Sequence, residues 1–241
     1  MIAPLRLLDA GECALVAEFG DRIDTALHDR VLALDAALAL SSLAGLIETV
    51  PTYRSLMVHY DPLVLPRARL AEHLLHLAAA AVGADAGPRR LWRLPACYDA
   101  DFAEDLAHVA QVTGLPPTEV IRLHASARYR VYMYGFAPGW AYLGGLPAAL
   151  TLPRRAAPRD RIPSGALIIA GGQAIVAGDA MPSGWHILGR TPARMFAPGR
   201  DPAFLVNVGD LITFDPVDRA THDSLSARAA AGEVLARAES G

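Results

Sequence analysis

Gly135-Phe-Ala-Pro-Gly-Trp-Ala-Tyr-Leu-Gly-Gly-Leu-Pro147 opens the stretch whose reading decides the fold. Of the chain's 20 glycines and 18 prolines, 11 and 8 fall between Gly135 and Gly199. Glycine spends much backbone entropy in a helix, and proline removes a helical hydrogen bond, so long helices cannot form at that density. The apolar runs inside and after it, Ala166–Ala170, Ala174–Ala177 and Leu211–Phe214, have the length of strands. A β-barrel or closed sheet is the architecture that such strand-and-loop sequence predicts.

Working outward, Arg90–Cys97 reads as a strand, followed by helices over Asp101–Val112 and Pro117–Ala125. Beyond the barrel, a helical tail is expected near Ser224–Ala238. Toward the N-terminus the pattern changes. Ala14–Phe19 is a strand candidate; Leu27, Val31, Leu34 and Leu38 recur at helical spacing, with His28 and Asp35 on other faces. Leu46–Val50 and Ser55–Tyr60 flank a Pro51-Thr52 turn, and Pro66–Val82 forms a second helix closed by Gly83. Strand, strand, helix, strand, strand, helix describes an α+β domain of ferredoxin-like type. Gly83-Ala-Asp-Ala-Gly-Pro88 is small and turn-rich, which places a boundary there and gives domains over 1–87 and 88–241.

A chain of 241 residues with 53% hydrophobic and 20% charged side chains can bury a core without staples. Its net charge of -3 argues against a nucleic-acid or membrane-surface protein. It contains no lysine, all 22 basic side chains being arginine. That excludes a Schiff-base lysine, a Walker A lysine and a biotin attachment lysine on this chain. Cys13 and Cys97 lack metal-ligand spacing, and His73 with His76 has no third ligand, so no metal site is expected. Arg6 and Asp9 interrupt any signal-peptide run, and Val31–Ile47 carries Asp35 and Ser41-Ser42, so a cytoplasmic setting is the expectation.

Several segments can carry chemistry. Arg128-Tyr-Arg-Val-Tyr-Met-Tyr-Gly-Phe136, as a strand, puts Tyr132, Tyr134 and Phe136 on one face, either packed in a barrel or walling a ligand cleft. Pro138, Gly139 and Tyr142 belong to a glycine-rich loop that is either a rigid turn or an anion cradle. Arg154, Arg155 and Arg159 lie in a proline-stiffened loop, read as solvated surface or protein interface, or as forks for carboxylate or phosphate. Gly171-Gly-Gln173 is tight-turn chemistry, or else Gln173 recognises an amide. Trp185-His186 and Gly189-Arg-Thr-Pro192 offer an acid/base, an anion-binding arginine and a hydroxyl; His124 is a second acid/base candidate. No Gly-x-Ser-x-Gly elbow or His-Glu-x-x-His helix occurs.

Val120-Ile-Arg-Leu-His124, Tyr129-Arg-Val-Tyr132, Gly135-Phe-Ala-Pro-Gly139, Tyr142-Leu-Gly-Gly145, Pro153-Arg-Arg155, Ala170-Gly-Gly-Gln173 and Gly184-Trp-His-Ile-Leu-Gly-Arg-Thr-Pro192 together resemble the B-subunit family of 5-oxoprolinase, also called the KipI or allophanate hydrolase subunit 1 family. The sequence departs from that family's pattern at Trp140, Ala157, Ala174-Ile175 and Ser183. The resemblance implies a cyclophilin-like β-barrel after the α+β domain. It also implies partners, a KipA-like (PxpC-like) protein as the C component and a further A component of 5-oxoprolinase. The joint activity it implies is opening 5-oxoproline to glutamate at the expense of ATP, with Mg2+ as the expected companion of the nucleotide. Other relatives inhibit a sensor kinase or resemble a part of urea carboxylase. For lactam opening, chemistry asks for cations and an acid/base. Arg154, Arg155, Arg159 and Arg190 with Thr191 are assigned to the first need, His124 and His186 to the second, and Gln173 to the lactam. His186 is expected to be neutral because Arg190 stands near it in sequence. The cleft wall is assigned to Tyr132, Tyr134, Phe136, Pro138, Gly139, Tyr142, Gly171, Gly172 and Trp185.

Overall fold

Residues 5–80 and 89–239 are described by the computed structural model, in two units, Met1–Pro88 and Arg89–Gly241. The expected boundary at Gly83–Pro88 and the Gly83 helix stop lie outside the described residues.

In the first unit, β1 (Arg6–Asp9), β2 (Ala14–Glu18), α1 (Thr25–Leu40), β3 (Leu46–Pro51), β4 (Ser55–Tyr60) and α2 (Arg67–Ala80) follow the expected order. All pairings are antiparallel, in the spatial order β1-β2-β4-β3. β2 and β3 therefore run parallel with β4 between them, the split β-α-β arrangement of ferredoxin-like sheets. The remaining edge is taken by β1, a strand that precedes the α/β repeat instead of following it. Asp24 starts α1 by accepting the amides of Ala26 at 2.9 Å and Leu27 at 3.2 Å, satisfying two otherwise orphaned helix donors. Val31, Leu34 and Leu38 of α1 meet Leu70 and Leu74 of α2 over Leu15, Leu56 and Val58 of the sheet. Full burial of each such side chain stabilises by about 1.5–3 kcal/mol. His28, expected on an outer face, is buried as well.

The second unit begins with β5 (Leu91–Cys97), α3 (Leu106–Thr113) and α4 (Pro117–Ser126). α3 starts later than the Asp101 expected, because Phe102 and Ala103 both return their amides to the Asp99 carbonyl as turns. Then come β6 (Tyr129–Tyr134), β7 (Ala141–Gly144), β8 (Ala166–Ala170), β9 (Gln173–Val176), β10 (His186–Arg190), β11 (Leu211–Val217), α5 (Arg219–Ala230) and β12 (Arg237–Glu239). The sheet runs β10-β8-β9-β7-β6-β11-β5, and β10 returns to β5 at Arg190 opposite Cys97. Among the described residues this closes a mixed seven-strand barrel, in which only the β5–β11 pairing is parallel. Leu94, Val131, Leu143, Ile169, Leu188 and Ile212 fill its interior. The helical tail is corrected: α5 starts at the Asp218 cap, which holds the Thr221 amide at 2.7 Å. Residues 237–239 are not helical and add β12 to the free flank of β5.

β6 also departs from the expected alternation. Its register against β7 shifts between Val131 and Met133, a bulge that reverses the faces of the residues after it. Tyr129, Val131 and Tyr134 consequently all pack with the core, and Tyr134 donates its hydroxyl to the Val206 carbonyl at 2.7 Å.

Candidate functional site

Asp105 organises most of the arginine loop. Its carboxylate is buried and accepts Arg155 Nη1 at 2.5 Å, Arg159 Nη1 and Nη2 at 2.8 and 2.9 Å, and the Ile187 amide at 2.8 Å. Burial pushes the Asp105 carboxyl up, but the bonds from Arg159 and Ile187 and the two guanidinium charges outweigh it and hold it below its ordinary value. The loop backbone is tied as well, Arg155 to Gly184 and Arg159 to Ser183 in both directions. Arg155 and Arg159 thus clamp one internal carboxylate. Arg154 points elsewhere, its guanidinium 5.7 Å from the Trp185 ring, which meets Tyr142 edge-on at 6.4 Å.

The two histidines assigned to acid/base work are both buried. His124 is fully buried on α4, stacked on Phe214 and bonded through Nδ1 to the Tyr98 hydroxyl at 2.9 Å. Burial drives its pKa down to about 3, so its ring is neutral in the core. His186 points Nε2 at the Pro153 carbonyl, 2.9 Å away; a carbonyl only accepts, so Nε2 carries the proton and Nδ1 is bare. Nδ1 is buried without a partner, and the ring stacks on His108 at 5.3 Å. The pKa is lowered as expected, but by burial and by the neighbouring His108 and Arg155, not by Arg190. Neither nitrogen is open to a ligand.

Gly171 and Gly172 form the two-residue turn between β8 and β9, with φ of +56° and +79°. Positive φ at both central residues is what a twisted hairpin turn requires. Gln173 pairs across it with Ala170 as the first residue of β9. Tyr132 lies against Gly144, where a Cβ would meet its ring. Phe136 is exposed at φ +69° and packs edge-on to Trp140 at 5.1 Å. Gly139 supports the Pro138 turn by lying against Phe196.

The unit does contain a cavity, of about 670 Å³, between the end of β10 and α5. Arg190, Thr191 and Pro138 are the expected site residues that it brings together, and Arg194, Asp179, Ser164 and Ser226 join them. Thr191 Oγ1 accepts the Ala193 amide at 3.1 Å, which leaves its hydroxyl proton to donate. Arg190 has its guanidinium carbon 4.7 Å from the centre of the Phe102 ring. It makes no hydrogen bond or ion pair among the described residues, and its Nε is buried and unsatisfied. Burial lowers its pKa without discharging it. A half-buried, unpaired guanidinium beside a free hydroxyl attracts an oxyanion, a carboxylate or a phosphoryl group. His222, Phe102 and Asp105 were not singled out from sequence. They lie in helical and turn segments whose composition is ordinary, and only the fold carries them to the motif-bearing loops.

Comparisons with known proteins follow the same lines. Residues 5–206 match the family model of the carboxyltransferase domain, subdomain C and D. The chain is 34% identical over 218 residues to the B subunit of 5-oxoprolinase from Bacillus subtilis, covering 85% of this chain and 89% of that one. The crystal structure of TTHA0988 is 35% identical, with a TM-score of 0.75; the match covers 85% of this chain but 40% of that longer one. The urea carboxylase of Kluyveromyces lactis shares the fold, with a TM-score of 0.78 at 16% identity, 98% of this chain spanning 24% of it. No helix among the described residues is long and apolar enough to cross a membrane. The chain belongs to the B-subunit family of 5-oxoprolinase, built on carboxyltransferase subdomains C and D.

Proposed function

We propose that this chain is the B component of an ATP-dependent 5-oxoprolinase, acting with an A component and a KipA-like C component to open 5-oxo-L-proline to L-glutamate. The observation that carries the reading is the relationship to the Bacillus subtilis protein along nearly the full length of both chains. That relative is named as one subunit of several, and the match to 40% of TTHA0988 supports a module that works beside further polypeptide. An amide is a poor electrophile; phosphorylating its oxygen turns that oxygen into a leaving group. ATP supplies that phosphoryl group when bound. Arg190 and Thr191 fit an oxyanion of substrate or nucleotide, with Pro138 as a wall of the same cavity. Consumption of ATP assigns the complex to the cytoplasm.

The test is reconstitution. The three purified components together should release ADP only when 5-oxoproline is present; no such release ends this reading. This chain and its KipA-like partner, co-expressed, should elute from size exclusion as one complex burying at least ~1,000 Å². Two separate species at micromolar concentration would reject that partner.

A further inference from the structure

Arg190 borders the cavity, yet no polar group among the described residues bonds to it. What places its guanidinium is the Phe102 ring, 4.7 Å away. A long side chain with nothing to fix its outer torsions must be ordered by its ligand, at a cost in affinity. An aromatic face orders a guanidinium through its π cloud and consumes no N–H donor. A carboxylate would have consumed the donors, as Asp105 does with Arg155 and Arg159.

Phe102 is itself held from two sides. It is buried, in the turn where its own amide and that of Ala103 return to the Asp99 carbonyl at 2.8 and 2.9 Å. From α5 the His222 ring packs on it with 4.4 Å between centres, and the Arg219 guanidinium lies 4.6 Å from the same ring. Two guanidinium groups on one ring repel, and Arg219 does act against the charge on Arg190. The charge of Arg219 is answered by Asp101 at 2.8 Å and Asp223 at 2.9 Å, which draws its field away from Arg190. Phe102 and Arg190 lie inside the matched family segment 5–206, whereas the brace from α5 lies beyond it.

We propose that Phe102 is a positioning residue. Its ring, braced by α5, aims Arg190 at the anionic group of the bound ligand and leaves the donors of that arginine uncommitted. Reading this through turnover rests on the proposed function; the aim of Arg190 itself does not.

The experiment is a double-mutant cycle in the reconstituted three-component enzyme, read as kcat/KM for oxoproline-dependent ADP release. Phe102→Leu keeps apolar bulk without a π face and should lower kcat/KM ~10-fold. Phe102→Tyr retains the face and should stay within about threefold of native. In an Arg190→Gln background the loss from Phe102→Leu should shrink below ~2-fold, because no guanidinium is left to aim. A purely structural role gives the same loss in both backgrounds. Additive losses, full activity in Phe102→Leu, or a Phe102→Tyr variant as impaired as Phe102→Leu would overturn the proposal. A second readout uses this chain alone. In proton–nitrogen correlation spectra the Arg190 Nε–H signal, assigned by its loss in Arg190→Gln, should be displaced upfield by the ring current of Phe102. In Phe102→Leu it should move toward the signals of the exposed arginines. A signal indifferent to that substitution overturns the proposal even if the three components show no turnover, an outcome that by itself ends only the proposed function.

Discussion

Two arginine-histidine clusters lie in the barrel unit, and they are finished differently. Around Asp105 every charge has an answer: Arg155 and Arg159 close on one carboxylate, and the Ile187 amide completes it. Around Phe102 the charges remain open: Arg219 is paired with Asp101 and Asp223, but Arg190 has no anion and His222 Nε2 has no donor. A paired buried charge specifies structure, whereas an unpaired polar group carries a desolvation cost. Counting arginines in a loop does not separate these cases; following where each guanidinium ends does.

The sharpest way to break this contrast is to exchange the effects of its arginines. Arg190→Gln should leave the melting temperature within about 2 °C of native, since only the stack on Phe102 is lost, yet reduce oxoproline-dependent ATP hydrolysis of the assembled enzyme at least ~10²-fold. Arg159→Gln should do the reverse, lowering stability by ~1–2 kcal/mol with turnover of the folded fraction within about threefold of native. If Arg159→Gln is the inactive variant, the clusters have been assigned the wrong way round.

Asp105→Ala should have the largest effect on stability, about 3 kcal/mol or roughly 6–12 °C in Tm, because it strands two guanidinium groups and an amide. Its pH dependence follows from the direction of its shift. A carboxyl held below its ordinary value contributes stability that is fully present above the unfolded value near 3.8 and is lost as pH falls through the lower folded value. Asp105→Asn should flatten that acid limb in thermal melts below pH 4.

His124 gives a milder test in a different pH window. Folded, it titrates near 3; unfolded, near 6.5. Between those values the unfolded chain binds the extra proton, so stability is full above pH 6.5 and declines as pH falls, by about 2 kcal/mol at pH 5. His124→Phe preserves the stack on Phe214 and should remove that decline without lowering turnover. Activity loss in a well-folded His124→Phe would restore its catalytic assignment.

The smallest expected effect comes from Gly178→Ala. A Cβ there meets the Pro138 carbonyl and the Gly139 backbone, neither of which can swing aside like a side-chain tip. A loss of about 1 kcal/mol is expected, with KM affected more than kcat because the Pro138 wall shifts while Arg190 stays. Equal melting curves for native and variant would show that the turn has more room than its contacts indicate.

How much of this was legible depends on how local the signal is. Glycine and proline density announced the barrel, and helical spacing found Val31, Leu34 and Leu38, because those patterns are written within one segment. Arg190 and Thr191 stand out through a dense motif, and the fold sets both on one cavity. Asp105 does not, since its partners stand 50 and 54 residues away and an acid before a helix is unremarkable. His222 was missed for the same reason, and Tyr134 was placed on the wrong face because a one-residue bulge leaves no mark in composition.

The pairing of β5 with β11 also sets a timetable. The barrel's first strand finds its parallel neighbour only after the whole of the intervening chain has been made, from Cys97 to Leu211. At typical translation rates of ~5–20 residues per second that wait is on the order of 10 s. During it the α+β unit has every partner strand it needs, while β5 has only its single pairing with β10 at Cys97. A nascent chain arrested before residue 211 should therefore protect the first unit from protease and leave the second exposed, making the seam of the barrel the last part of the molecule to be born folded.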